Sequence, residues 1–295
     1  MNRENTFTLV GLGEILWDIL PEGKQLGGAP ANFAYHAQSL GAKGVVASCV
    51  GDDDLGREIL GCLDKLSLDR QYISIDRDHP TGTVTVELDE NGNPNFTIHE
   101  NVAWDFIPLN EDLLDIAAET DAVCFGSLCQ RSDVSRKTVQ KFLQATKPDC
   151  IRVFDINIRQ SYYSRKIIDT MLKLSNVLKL NNEELPLVSK ILEIKGSESE
   201  ILAQVSRGYE LRLIVLTKGP KGSRLYIQGK DSIHKGIPPA KIVDTVGAGD
   251  AFTAAVTLGF LKGNDLDQIN KHANRVASFV CSQSGATPKL PHDLI

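Results

Sequence analysis

The sequence predicts an α/β protein, with a mainly parallel sheet sandwiched by helices and a small β-sheet lid. Three observations lead there. Short apolar runs alternate with amphipathic stretches nearly throughout the 295 residues, the pattern of β-α units whose crossover helices cover both faces of a parallel sheet. Two segments, 14–26 and 82–99, break the alternation and read as extended, so they should pair in a separate sheet. No repeat, low-complexity tract or long linker divides the chain, so residues 1–295 are expected to form one domain carrying those two insertions.

Strands are expected at 6–12, 45–49, 121–125, 151–155, 177–180 and 212–216. Each is short, apolar and bounded by turn-forming or polar residues. Helices are expected at 30–40, 54–66, 134–145, 165–174, 182–190, 198–207, 249–261 and 265–281, where apolar positions recur at helical spacing. Asn91-Gly92 is a hairpin signal between extended runs at 83–88 and 96–98.

Composition excludes several classes. The formal net charge is −6, with 42% hydrophobic and 24% charged residues, which argues against a nucleic-acid binder. No run of about 18 apolar residues is present, so no membrane span is expected. The first residues lack the apolar stretch of a signal peptide, and a cytoplasmic location is expected. Six cysteines form no C-x-x-C pair and read as reduced thiols. The six histidines show no metal-binding spacing, and His36 reads as a packed residue of the helix at 30–40.

The most informative string is Asp244-Thr245-Val246-Gly247-Ala248-Gly249-Asp250. A helix begins within it, so the first turn presents unpaired N–H groups with the positive end of the helix dipole behind them. The small residues Gly247, Ala248 and Gly249 let an anion approach the main chain. A carboxylate beside a phosphate would repel it unless it has work to do there. The simplest work for Asp250 is to take a proton from the hydroxyl that attacks phosphorus. The plainer reading is a buried glycine turn with a first-turn acid.

A second string is Gly27-Gly28-Ala29-Pro30-Ala31-Asn32. Gly28 allows a tight backbone, Pro30 suits a first helical turn, and Asn32 offers both a donor and an acceptor, as sugar hydroxyls require. It could also be only the loop before a helix. Asp18 follows Trp17 in the first lid segment, and a carboxylate there can accept two sugar hydroxyls or simply end a strand. Asp155-Ile156-Asn157-Ile158-Arg159 closes an apolar strand, where polar residues line the ligand crevice of an open α/β sheet. Arg159 could bind substrate, cap a helix or pair with Asp155. Asn181 and Glu184 form N-x-x-E after the strand at 177–180, a pattern equally ordinary at a helix start. Thr217, Gly219 and Gly222 form T-x-G-x-x-G, either a nucleotide loop or a hairpin turn before a strand at 223–227. Gly51-Asp52-Asp53-Asp54-Leu55-Gly56 reads as a structural turn, since no Lys-Ser/Thr follows for a phosphate loop. Gly11-Leu12-Gly13 lacks the third glycine of a dinucleotide fingerprint.

Taken in order, these strings resemble the signatures of the ribokinase family, the PfkB-type carbohydrate kinases, over residues 6–291. The G-G-A-P-A-N form is similar to that of fructokinases. The resemblance implies that Asp250 is the catalytic base and that Gly247, Ala248 and Gly249 form the anion hole. It implies that Asp18, Gly28, Asn32, Asn157 and Arg159 contact the sugar. Thr217, Gly219, Gly222 and Asn274 would contact ATP, and Asn181 and Glu184 would organise Mg²⁺. It also implies a lid that supports a homodimer, with Ile15, Leu16, Trp17, Val84 and Val86 in need of cover. A monovalent cation is left open, because Lys289 stands where relatives that use one carry a small hydroxyl residue. The implied activity is ATP-dependent phosphorylation of a sugar primary hydroxyl, fructokinase-like. The alternatives are a kinase for another sugar, a nucleoside or a 2-keto-3-deoxy sugar acid, or a silent sugar sensor.

Overall fold

The computed structural model describes residues 6–21, 23–88 and 94–295. The first half contains β1 (Thr8–Leu12), β2 (Leu16–Leu20), β3 (Gly23–Gly27), α1 (Ala29–Ser39), β4 (Lys43–Gly51), α2 (Asp54–Lys65), β5 (Ile73–Asp76), β6 (Thr83–Leu88), β7 (Pro94–Ile98), α3 (Glu111–Glu119), β8 (Ala122–Phe125) and α4 (Asp133–Ala145). The second half contains β9 (Ile151–Asp155), α5 (Arg165–Leu174), β10 (Val177–Asn181), α6 (Glu184–Leu192), α7 (Glu198–Gly208), β11 (Leu213–Thr217), β12 (Ser223–Ile227), β13 (Lys230–His234), α8 (Ala248–Leu261) and α9 (Leu266–Cys281).

Nine strands make one sheet in the order β13-β12-β11-β10-β9-β8-β1-β4-β5. The run from β11 to β5 is parallel, and β12 and β13 append an antiparallel edge. Alternate residues of one strand feed two cores: Val10 and Leu12 pack in one, Leu9 in the other. That two-sided burial is why the expected strands read as continuous apolar runs. Gly13 leads into a strand rather than a helix, in keeping with the missing dinucleotide fingerprint.

Most helices start on a polar cap. Asp53, Asn110, Ser132, Ser164, Ser197 and Asp265 each accept a first-turn amide. Asp53 also accepts from the amide and hydroxyl of Thr81, which makes the Gly51–Gly56 string structural, as its sequence suggests. Helices α1 and α8 differ. Each begins at a glycine, Gly28 and Gly247, with no side chain closing its first turn.

The expected helix at 182–190 starts two residues later because Asn181 caps it through Oδ1. Three elements lie outside the expected set. β5 is a four-residue edge strand, β13 is largely polar, and α3 is a short acidic helix, so none carries a strong periodic signal.

The second sheet has the order β3-β2-β6-β7. Two antiparallel hairpins join through a parallel β2–β6 pair in which Trp17, Asp18 and Ile19 face Thr83, Val84 and Thr85. The turn signal at Asn91-Gly92 and the side chain of Val86 lie outside the described residues. One expectation is corrected. Ile15, Leu16, Trp17 and Val84 need no second subunit to cover them, since all are buried within the chain. Trp17 packs toward α2 and its Nε1 donates to the carbonyl of Leu55 at 3.0 Å. Among the described residues of this sheet, Phe96 is the large apolar side chain left exposed.

Candidate active site

Gly247 has φ 77°, a left-handed backbone that favours glycine. A Cβ there would collide with the carbonyl oxygen of Ala286. The turn is braced at both ends. Asp244 accepts the amides of Val246 and Gly285, at 3.0 and 3.2 Å. His36 of α1, fully buried as expected, places Nε2 2.9 Å from the carbonyl oxygen of Ala286. Burial pushes this histidine down to about 4, so it is neutral and donates there without adding charge.

Asp250 sits in the first turn of α8. Asn32, from α1, donates through Nδ2 to Asp250 Oδ2 at 2.8 Å, so two motifs far apart in sequence meet directly. The carboxyl is pushed up to about 6, first by burial and then by the negative charge of Asp155; Asn32, Lys179 and Arg159 pull it back. A narrow cleft beside it is lined by Pro30, Cys124, Gly126, Asn157 and Thr253. Asn32 Oδ1 is buried without a partner among the described residues. Gly28, at φ 112°, brings its backbone against Glu14, where a Cβ would strike the carbonyl oxygen.

Asp18 of β2 is pushed up to about 6 by burial, with Arg159 opposing the shift. Arg159 is exposed on the loop after β9, next to Asn157, whose backbone is left-handed at φ 42°. The same loop grips the small sheet: Gln160 Nε2 donates to the carbonyl of Phe96 at 2.9 Å, and Tyr162 donates to Glu100 at 2.7 Å. Glu14 is a buried carboxylate near Asp250 and Arg159 that the motifs do not reveal. It is 2% exposed, its Oε2 has no described partner, and burial pushes it up to about 7. The available signal is a carboxylate set between Gly13 and an apolar run.

Glu184 is buried, and each of its oxygens accepts a backbone amide: Oε1 from Ile158 at 2.9 Å and Oε2 from Asn181 at 2.7 Å. Burial raises its carboxyl. Asn181 returns two bonds to the start of α6. Each carboxylate oxygen keeps a second lone pair. The donor set therefore fits a largely hydrated Mg²⁺ arriving with phosphates rather than an all-protein cage. Among the described residues no group of three or more His, Cys, Asp or Glu side chains is arranged for a metal.

Thr217 to Gly222 is a hairpin turn between β11 and β12, tightened by a 3-10 segment at Gly219–Lys221. Gly219 has φ 55° with open space around it, so a ligand can approach its backbone. Lys218 is paired with Glu198, its Nζ 2.8 Å from the carboxylate. Asn274 of α9 reaches the base of this loop, donating Nδ2 to Ser223 Oγ at 2.7 Å and to the carbonyl of Asn270 at 2.8 Å.

An acid with a raised pKa thus stands beside an uncapped helix N-terminus, with a hydrogen-bonding asparagine held against it and a glycine hairpin farther along the sheet. That is an arrangement for moving a proton from a hydroxyl while an anion is held. The pfkB family carbohydrate kinase model matches residues 22–293. The chain is 34% identical over 305 residues to an uncharacterized sugar kinase of Pyrococcus horikoshii, covering 95% of this chain and 93% of that one. The structure of that protein in complex with ATP superposes with a TM-score of 0.80 at 31% identity, covering 95% and 94%. A fructokinase of Klebsiella pneumoniae is 33% identical over 301 residues, 95% of each chain. The fructokinase of Vibrio cholerae O395, solved with fructose, ADP and a calcium ion, superposes with a TM-score of 0.80 at 26% identity, covering 97% and 96%. With motif residues at the C-terminal ends of β9, β10 and β11 and this likeness running nearly end to end, the chain belongs to the pfkB family of carbohydrate kinases.

Proposed function

We propose that the chain transfers the terminal phosphoryl group of ATP to a primary hydroxyl of a neutral sugar, as a fructokinase does. The observation that carries this reading is the contact between Asn32 and Asp250 at the open end of α8. Asn32 holds the base in place and keeps Oδ1 for a sugar hydroxyl. Asp18, Gly28, Asn157 and Arg159 complete the sugar contacts. Asp250 takes the proton of the attacking hydroxyl, and the amides of Gly247, Ala248 and Gly249 hold the charge that develops on the transferred group. ATP lies along Thr217, Gly219 and Gly222, with Asn274 supporting the base of that loop. Mg²⁺, when bound, neutralises charge across the phosphates, and Asn181 and Glu184 would hold its waters.

The small sheet acts as a lid over the sugar. A homodimer through it would rest on Phe96 and the partly buried Ile19, Leu20 and Leu26. All six cysteines are free, which suits a reducing compartment such as the cytoplasm. Among the described residues no helix is long and apolar enough to cross a membrane. A monovalent cation stays an open addition to this reading: each Asp244 oxygen accepts one amide and keeps a second lone pair, while Lys289 is exposed.

Charge favours a neutral substrate. Asp18, Glu14 and Asp250 would surround the sugar, faced by Arg159, while the nearby Arg131 and Lys179 are already paired with Asp105 and Asp155; a phosphate would need several charge-assisted partners. Fructose or a close neutral sugar is expected to exceed fructose 6-phosphate and 2-keto-3-deoxygluconate by at least about tenfold in kcat/KM, ~1.4 kcal/mol in transition-state binding. Steady-state assays with Mg-ATP and these acceptors test it, and preference for the phosphorylated or acidic sugar overturns it. Asp18→Ala should raise KM for the sugar far more than for ATP, since each lost hydroxyl bond is worth ~1–3 kcal/mol. Equal effects on both would assign Asp18 to the fold instead.

A further inference from the structure

Lys179 is out of place by sequence logic. It interrupts the apolar run of β10, in the interior of the parallel sheet, and its side chain is 9% exposed. A buried lysine is costly unless it is paired. Its partner is Asp155, directly across the register on β9, with Nζ and Oδ1 2.9 Å apart. The second oxygen of Asp155 lies 3.2 Å from Thr253 Oγ1, and that hydroxyl is 2.9 Å from the carbonyl oxygen of Gly249. Lys179 Nζ also comes within 3.6 Å of where a Cβ on Gly249 would stand. The pair therefore lies against the first turn of α8. Buried ion pairs can often be replaced by apolar residues at little cost in stability, so folding alone is a weak reason for this one.

We propose that Lys179 is a positioning residue for phosphoryl transfer: with Asp155 and Thr253 it fixes the first turn of α8, and its charge offsets Asp155 so that Asp250 can ionise. Asp250 is faced by Asp155 from β9, Lys179 from β10, Arg159 from the following loop and Asn32 from α1, with Glu14 after β1 and Cys124 on β8 farther off. Glu184 lies near Lys179 as a further negative charge. Without Lys179, the carboxylates would dominate this set and hold a proton on Asp250. Without Asp155, the cation would be left in excess.

The inference rests on Asp250 being the proton acceptor. Its test is the pH profile of kcat/KM with Mg-ATP and the preferred sugar, for the wild type, Lys179→Met and Asp155→Asn. Lys179→Met should move the acidic limb up by about one pH unit and lower activity at pH 7 roughly tenfold. Asp155→Asn should move the limb down by a similar amount. Opposite displacements are something a purely structural pair would not give. A limb that is present but unmoved in both variants, or that moves the same way in both, overturns the inference and leaves the base intact. Should Lys179→Met fail to fold, Asp155→Asn decides alone: a downward shift supports the inference and an unmoved limb ends it. A wild-type profile without such a limb overturns the base assignment and this inference with it.

Discussion

Asp250→Asn is expected to lower kcat about a hundred- to ten-thousandfold, with ATP affinity nearly unchanged. The asparagine keeps the shape of the side chain and its contact with Asn32 but cannot accept a proton at neutral pH. The wild-type carboxyl is pushed up to about 6. Below that value it is protonated and useless as a base, so kcat/KM should fall as the pH drops through about 6 and level off above it. The variant should lose that limb. Its melting temperature should not fall, because the substitution removes a charge that burial disfavours. Turnover close to wild type in the purified variant, or an unchanged acidic limb, would take Asp250 out of the chemistry.

Gly247→Ala should be the other large effect, although it adds one methyl group. The residue has φ 77°, and the new Cβ would meet the carbonyl oxygen of Ala286 with its Cα only 2.7 Å away. Because Asp244 and His36 hold the surrounding turn in place, the start of α8 must shift. Losing one aimed amide costs about a hundred- to a thousandfold in kcat. The left-handed backbone should cost a further ~1–3 kcal/mol of stability. Gly249→Ala is the control, since its nearest neighbour is Lys179 Nζ at ordinary contact distance and its backbone is helical. Turnover numbers and thermal melts of the two variants check the contrast. If Gly247→Ala retains kcat within about threefold, these amides are not aimed at the reacting group.

Much of this site is legible in the sequence, because its chemistry sits where backbone geometry demands particular residues. Gly247 and Gly28 are glycines for steric reasons, and Asp250 follows the turn it serves. The β-α alternation likewise reports the parallel sheet, since two-sided burial writes itself as apolar runs. Other features are illegible for equally physical reasons. Glu14 stands out through desolvation, which depends on what folds over it. Lys179 hides inside an apolar strand, though a charge in such a run is itself a signal. The expectation that Ile15, Leu16, Trp17 and Val84 need cover from a second subunit fails, because alternation shows that a strand has an apolar face but not what that face meets. Here Trp17 meets α2 of its own chain.

The parallel β2–β6 pair has a consequence for how the molecule assembles. In the chain, β3, α1, β4, α2 and β5 separate its two strands, so pairing them closes a loop over all five elements. The β1–β8 pair closes a longer loop still, but those strands are buried almost throughout, whereas β2 and β3 are buried only in part, so less packing holds the small sheet closed. The small sheet should therefore be among the first parts to open, as an independent cooperative unit. Native-state hydrogen exchange is expected to give β2 and β6 amides lower opening free energies than those of β1, β8 and β9. Equal protection across both sheets would mean that the two fold as one. Lower protection confined to the small sheet would instead describe an opening that leaves the start of α8 undisturbed.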